Sequence, residues 1–163
     1  MQKGDVFLSS RTSSWVMQFR PATGKVVALI EGPFMSQHDV DIESDSTIIF
    51  FNNGGQTLKG DRPSQHRLAE NLIEVAPQFS GVVRYHLGSG KFERIYPELF
   101  AKNEIFSFTE SLVEELPTGG YYIEEQNSSV LWVLKDGEVK YKNILASQHE
   151  GHHHLANWGR VMP

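Results

Sequence analysis

Two side chains near the start of the chain could carry out group transfer on an anion. His38 stands where a predicted strand begins, a position at which a reactive group would be accessible. A neutral imidazole is a competent nucleophile at physiological pH. Arg11 lies in a predicted turn, and its planar guanidinium can hold two oxygens of a tetrahedral anion. A lone histidine or arginine in such a place is more often structural or solvent-facing, so the residue types alone do not define a site.

A second group of histidines, near the C-terminus, raises the question of metal binding. Residues 149–153 read His-Glu-Gly-His-His, which formally satisfies the zinc-protease pattern His-Glu-x-x-His. That pattern places both histidines on one face only in a helix. A strand precedes it here and Gly151 interrupts it, so we expect no zinc protease, no metal ligand and no cofactor. The alternatives are a polar loop, a metal site of His149, His152 and His154, or a histidine beside His38.

The elements that would position these side chains are strands. Val40 and Ile42 alternate with acidic residues, which is typical of a half-buried strand. The run 47–51 is β-branched and aromatic throughout, which predicts a strand buried on both faces. Because successive strand residues point to opposite faces, Asp39 is a poor candidate to orient the His38 imidazole.

A strand–turn–strand signature recurs along the chain, starting at residues 13, 80 and 128 and running each time into a glycine turn. An all-strand repeat of about 45 residues is typical of β-propeller blades. We therefore predict an all-β chain of about three four-stranded blades, half of a six-bladed ring. A β-sandwich is the alternative fold.

The predicted strands divide into three groups within one domain, residues 1–163. The first blade takes 5–10, 14–20 and 25–31, with 153–162 as its missing inner strand. The second takes 37–43, 46–53, 80–87 and 91–96, and the third takes 106–115, 119–126, 129–135 and 138–145. A polar insertion at 54–71, with a short helix at 65–70, lies inside the second blade.

Three blades are too few to close a ring, since propellers need about four to eight. Two chains related by a twofold axis would supply six. We therefore expect either a homodimer that completes a six-bladed ring or a fragment of a longer chain.

Composition narrows the function classes. The net charge is −5 and no basic run is present, which argues against nucleic acid as a partner. No apolar run approaches the ~20 residues of a membrane span, so we expect no membrane partner. The chain has no cysteine, which excludes disulfides and thiolate chemistry. No signal peptide is recognisable at the N-terminus, and the compartment stays undetermined.

Several short motifs occur in an order that resembles a known family. Ser9-Ser10-Arg11 is followed by Gln37-His38 and then by Phe51-Asn52-Asn53-Gly54. Further matching strands start at residues 80, 106 and 153. Together they resemble the C-terminal half of the aryl sulfotransferase family, whose members look like six-bladed propellers. Asn52 stands where the family pattern has aspartate.

The resemblance implies a function and a set of site residues. It implies sulfuryl transfer between phenolic compounds, independent of phosphoadenosyl donors, with an aryl sulfate or a phenol as the small-molecule partner. His38 would take up the sulfuryl group and Arg11 would hold the sulfate oxygens. Thr109, His153 and His154 would bind substrate. The family also suggests a periplasmic or secreted location. The alternative is a non-catalytic propeller module that binds a small molecule, an anion or a protein.

Overall fold

The computed structural model describes residues 1–53, 79–156 and 158–162. Within them the chain forms three antiparallel sheets, and each sheet follows the order of its strands in the sequence. The all-β expectation is therefore confirmed. The predicted insertion at 54–71, with its helix at 65–70, lies outside the described residues.

The sheets hold three, four and four strands. The first contains β1 (Val6–Ser10), β2 (Trp15–Arg20) and β3 (Lys25–Ile30); the second contains β4 (His38–Ser44), β5 (Thr47–Asn52), β6 (Gly81–His86) and β7 (Lys91–Ile95). The third contains β8 (Leu112–Glu115), β9 (Tyr121–Glu125), β10 (Val130–Lys135) and β11 (Glu138–Ile144). A 3-10 turn, Pro21–Thr23, precedes β3, and a short helix, α1 (Pro97–Lys102), follows β7.

The second sheet is the middle layer, because both faces of β5 are buried. Ile48 and Phe50 pack in a cluster with Val16 and Ile30 of the first sheet. The alternate residues of β5 pack in a second cluster with the third sheet; its members include Ile49, Phe51, Val113, Ile123 and Trp132. The continuous apolar run 47–51 therefore forms the doubly buried strand that its composition predicts.

One charged group joins the second sheet to the third. Arg84 of β6 donates from Nε to Glu43 Oε2 at 2.6 Å and from Nη2 to the hydroxyl of Tyr121 at 2.7 Å. Burial raises the pKa of Tyr121 to about 12, so its hydroxyl stays protonated and donates to Glu43. Glu43, Arg84 and Tyr121 thus lie on three strands from two sheets and restrain how these sheets can move against each other.

The first strands of successive sheets lie side by side. β1 contacts β4, and β4 contacts β8. Three sheets stacked with their first strands in contact bring the ends of those strands to one region, where His38 and Arg11 are found.

Helix α1 was not predicted, although its sequence carries ordinary start and stop signals. Pro97 occupies the first turn beside the acidic Glu98, and Lys102 lies in the last turn. Proline is favoured at this position, and charges of this arrangement complement the helix dipole. Phe100 anchors the helix in the core between the second and third sheets.

The predicted strand 106–115 is wrong in its first half, because β8 begins at Leu112. Glu110 and Ser111 have φ values of 51° and 129°, which a regular strand excludes. The preceding residues form an irregular segment instead, and Ser107 is fully buried within it.

The prediction that residues 153–162 complete the first sheet is also wrong for the part of this segment that the structure describes. His153 forms an isolated bridge with Ala146. Farther on, the amides of Gly159 and Val161 donate to the carboxylates of Glu124 and Glu114 on the third sheet, at 2.7 and 3.1 Å. Amides bonded to side chains are not available to a strand ladder.

Among the residues described, no helix combines the length and the apolar character needed to cross a bilayer.

Candidate functional site

The candidate site lies where the first strands of the three sheets meet. Arg11 directly follows β1, His38 is the first residue of β4, and Thr109 lies three positions before the start of β8. These strands are neighbours in the order β1, β4, β8. The described fold therefore brings three of the predicted site residues to the same region, although they are far apart in the sequence.

Gln37 ties the start of β4 to the end of β1. Its side chain is fully buried, and Nε2 donates to the carbonyl of Ser10 at 3.1 Å and to the carbonyl of Trp15 at 2.8 Å. Ser9 Oγ in turn donates to the Gln37 carbonyl at 3.2 Å. Because Gln37 precedes His38 and Ser10 precedes Arg11, these bonds hold the backbones of both site residues together.

His38 is half-buried and held by Asn53. The distance from His38 Nδ1 to Asn53 Oδ1 is 2.8 Å, which is a hydrogen bond. Asn53 is itself fully buried. Its Nδ2 donates to the carbonyls of Ser107 and Glu110, at 3.0 and 2.7 Å. The imidazole is thus fixed to a group that spans from the end of β5 to the segment before β8.

Thr109 belongs to the same hydrogen-bonded segment. Its hydroxyl oxygen accepts a bond from Asn127 Nδ2 at 3.0 Å, and its amide donates to Asn127 Oδ1 at 2.8 Å. Ser107 Oγ lies 2.7 Å from the same Asn127 oxygen. Because the Thr109 oxygen accepts from Asn127, its own hydroxyl hydrogen is available to an outside acceptor.

Arg11 reaches the same segment from the first sheet. Its Nη2 donates to the Phe108 carbonyl at 3.3 Å, and the guanidinium carbon lies 5.9 Å from the centre of the exposed Phe108 ring. Arg11 Nε is buried and has no hydrogen-bond partner within the described structure. A buried donor of this kind is costly unless a ligand or water satisfies it. The described structure therefore leaves this one donor of the Arg11 guanidinium unsatisfied.

The backbone near these residues is unusual. Ser36 and Asp39, on either side of Gln37 and His38, have φ values of 53°. Glu110 and Ser111, after Thr109, are also left-handed. Non-glycine residues in this region cost on the order of 1–3 kcal/mol each and persist only where surrounding contacts hold them. Such residues are enriched at functional sites, although several turns elsewhere in this fold contain them too.

Asp39 is half-buried beside the site, with its side chain 5% exposed, but it bonds elsewhere. Its Oδ2 accepts from the Val113 amide at 3.0 Å, and its Oδ1 lies 3.6 Å from Arg160. These contacts agree with the expectation that Asp39 does not orient His38. Burial, reinforced by the negative charge of Asp41, raises the pKa of Asp39 to about 6.

The C-terminal histidines lie in a different setting. His153 pairs with Ala146, and the His154 amide donates to the Leu145 carbonyl at 2.9 Å. Both histidines therefore lie against the residues that come directly after β11, at the edge of the third sheet. Both side chains are exposed. Within the described residues, no hydrogen bond or ring contact joins either of them to His38, Arg11 or Thr109. Their assignment to substrate binding stays a prediction.

The residues that match the zinc-protease pattern do not form a helix. Residues 149–152 form a turn, in which the His152 amide donates to the His149 carbonyl and the two rings are 6.3 Å apart. In the part of the chain that the structure describes, no group of three or more histidine or acidic side chains is arranged to hold a metal ion.

Three further residues of the site, the buried Asn53 and Ser107 and the exposed Asn127, were not predicted as site residues. Asn53 and Ser107 were assigned to the predicted strands 46–53 and 106–115, and Asn127 lies between the predicted strands 119–126 and 129–135. Their partners lie up to 57 residues away, as in the bond from Asn53 to Glu110. No local pattern reports such contacts. The only available signal was the pair of asparagines that ends β5, in place of a single turn residue.

A family model described as arylsulfotransferase (ASST) matches residues 1–144. The chain therefore belongs to the arylsulfotransferase family, as its motifs predicted. No curated protein and no solved structure matches the chain.

Proposed function

We propose that this chain transfers a sulfuryl group from an aryl sulfate to a phenol through a covalent intermediate on His38. The proposal is supported by membership of the arylsulfotransferase family. The observation that carries it is the junction of β1 and β4, where Gln37 holds the backbones that present His38 and Arg11. A nucleophile and an anion-binding cation beside each other are what this reaction needs.

The transfer takes place in two steps. A ring nitrogen of His38 attacks sulfur, the nitrogen–sulfur bond forms, and the bond to the aryl oxygen breaks, which releases a phenolate. The acceptor phenol then attacks the same sulfur, gives its proton to solvent, and frees the imidazole. By analogy with phosphoryl transfer the transition state is loose, so positioning and charge stabilisation account for most of the acceleration.

Arg11 and Thr109 are proposed to hold the sulfate oxygens. The guanidinium of Arg11, whose Nη2 lies at an exposed position, and the free hydroxyl hydrogen of Thr109 both supply donors. Each charge-assisted bond is worth about 1.5–3 kcal/mol, which is enough to orient the anion for attack. The exposed ring of Phe108, next to Thr109, is an apolar surface on which an aromatic substrate can rest.

We further propose that the three sheets are propeller blades and that a second copy completes the ring. One face of the first sheet carries Val6, Leu8 and Leu29, which are 41, 46 and 55% exposed. Its other face is buried against the second sheet. An apolar sheet face of this kind is normally covered by another layer, and six sheets fall within the range of propeller rings.

The dimer is tested by light scattering on a size-exclusion column. We expect the wild-type chain at the mass of two copies and Leu8→Asp combined with Leu29→Asp at the mass of one. A wild-type chain that stays monomeric over a wide concentration range would overturn the ring.

The sulfuryl-transfer proposal is tested with a chromogenic phenyl sulfate as donor and a second phenol as acceptor. We expect release of the chromophore, together with one added sulfuryl group on His38 in a donor-only reaction analysed by mass spectrometry. His38→Ala should lose both signals. His86→Ala is the matched control, because His86 bonds to Glu93 on the outer strand of the second sheet. Turnover without modified His38 would contradict the mechanism.

The Arg11 guanidinium also fits a second function, in which the site binds an anion without reaction. Calorimetric titration with inorganic sulfate separates the two. Binding that depends on Arg11, in a protein with no turnover and no modified histidine, would favour the non-catalytic module.

A further inference from the structure

We propose that Asn53 is a positioning residue, which holds His38 in the tautomer with hydrogen on Nδ1 and leaves Nε2 as the attacking atom. The catalytic part of this inference rests on the proposed function. The tautomer itself follows from the hydrogen bonds and can be measured without any substrate.

The orientation of the Asn53 carboxamide is fixed by its partners. One end of the amide faces the carbonyl oxygens of Ser107 and Glu110, at 3.0 and 2.7 Å. A carbonyl oxygen only accepts hydrogen bonds, so the amide must point its NH2 group, with two donors, toward this pair. The reverse orientation would set the Asn53 oxygen against two other oxygens in a buried site, at the cost of two unmade bonds.

The tautomer of His38 follows from that orientation. The other end of the amide, which faces His38 Nδ1 at 2.8 Å, must be the oxygen Oδ1. An amide oxygen accepts and cannot donate, so Nδ1 must carry the hydrogen. In a neutral imidazole the second nitrogen, Nε2, then holds a free lone pair. The described structure gives Nε2 no hydrogen-bond partner.

The position of Asn53 is as firmly held as its orientation. Its side chain is fully buried, and its backbone carbonyl accepts a bond from Ser80 Oγ at 2.8 Å. The Ser107 amide donates to the same Ser80 oxygen at 2.8 Å. Asn53 and Ser107 are thus joined both directly and through Ser80, which prevents the amide from turning with the imidazole.

An amide at this position has a further chemical consequence. When Nε2 forms its bond to sulfur, the ring keeps the hydrogen on Nδ1 and becomes positively charged. Asparagine has no basic group that could remove this hydrogen, so the charge stays on the ring during the lifetime of the intermediate. The cationic ring expels neutral imidazole, which is a better leaving group than the imidazolate anion that a ring without this hydrogen would expel, and this favours transfer to the acceptor phenol in the second step.

The tautomer is measured by NMR on protein with nitrogen-15 in its histidine rings, at about pH 8, where a histidine of ordinary acidity is neutral. We expect the His38 resonances to show hydrogen on Nδ1 and a free Nε2. In Asn53→Ala this preference should be lost. Asn52→Ala is the matched control, because Asn52 is equally buried and adjacent but bonds to the Met35 amide at 2.8 Å. It should leave the His38 spectrum unchanged.

Steady-state kinetics distinguish a positioning role of Asn53 from a purely structural one. We expect Asn53→Ala to lower kcat by roughly tenfold while KM changes less than about twofold, the size of one lost hydrogen bond. If this variant does not fold, the wild-type spectrum alone still tests the inference. A wild-type His38 with hydrogen on Nε2 would overturn it, as would an Asn53→Ala spectrum identical to that of the wild type.

The two proposals can fail separately. A protein that shows the Asn53-dependent tautomer but neither turnover nor sulfated His38 would contradict the proposed function and leave the assignment of Asn53 intact.

Discussion

His38 and the histidines of residues 149–154 are the same kind of side chain in two opposite settings. His38 is half-buried, follows the fully buried Gln37, and bonds to Asn53. The C-terminal histidines are exposed, and their bonds are to nearby residues, such as His152 Nδ1 to the Glu150 carbonyl at 2.9 Å. A dense run of histidines therefore does not make a site. A single imidazole held by partners from distant segments has the geometry that chemistry requires.

The comparison can be tested first with Arg11 and Arg160, one arginine from each region, because the largest effect on kcat/KM is expected at Arg11. Arg11→Met should lower kcat/KM for an aryl sulfate by about 10- to 100-fold, since it removes charge-assisted bonds worth about 1.5–3 kcal/mol. Arg11→Lys should recover part of this loss. Arg160→Met, in the C-terminal segment, should change kcat/KM by less than about threefold. Steady-state kinetics on the three variants would contradict the comparison if Arg160 proved the more important residue.

The next effect concerns pH and stability near His38. The pKa of Asp39 is raised to about 6, whereas an unfolded aspartate titrates near 4. Between these values the folded protein holds a proton that the unfolded chain has lost. The free energy of unfolding should therefore fall as pH rises from about 4 to about 6, by on the order of 2 kcal/mol, and then stay level.

The Asp39→Asn variant isolates this contribution. It should lack that fall and exceed the wild type in stability at about pH 8, while Asp45→Asn, at an exposed turn, should follow the wild-type curve. Urea unfolding across the pH range measures all three proteins. If the free energy of unfolding depends on pH in the same way in the wild type and in Asp39→Asn, the carboxyl of Asp39 is not the cause of the fall in stability.

A smaller effect is expected from two serines, one in each region. Ser107→Ala should lower the free energy of unfolding by about 1–2 kcal/mol, because it removes a buried hydroxyl bonded to Asn127 Oδ1 at 2.7 Å. Ser147→Ala, near the C-terminal histidines, should change it by less than about 0.5 kcal/mol. Denaturant titration measures the free energy of unfolding of both variants. Equal losses of stability in Ser107→Ala and Ser147→Ala would contradict the distinction between the segment before β8 and the C-terminal segment.

The smallest effect is expected at the C-terminal histidines themselves. Replacing His149, His152 and His154 together by alanine should shift the free energy of unfolding by less than about 0.5 kcal/mol, because exposed side chains contribute little. Added zinc should not alter the melting temperature of the wild type more than that of the triple variant. A zinc-dependent stabilisation confined to the wild type would reinstate the metal-site interpretation.

The strands of the fold could be predicted from local patterns, and the site only in part. The run 47–51 predicted β5 because composition alone determines whether a strand can be buried on both faces. The start of β8 was missed because left-handed Glu110 and Ser111 carry no distinctive sequence signal. His38 and Arg11 were found through the family motifs. Asn53 was not, because its role depends on Ser107 and Glu110, which come near it only when two sheets have packed together.

The shared guanidinium of Arg84 limits how far the second and third sheets can be treated as interchangeable modules. Its partners, Glu43 and Tyr121, come from both of the sheets that it joins. Excising or duplicating one of these sheets would leave a carboxylate or a cation unpaired at the cut surface. An exchange of these sheets therefore has to move Glu43, Arg84 and Tyr121 together, even where the strands themselves look equivalent.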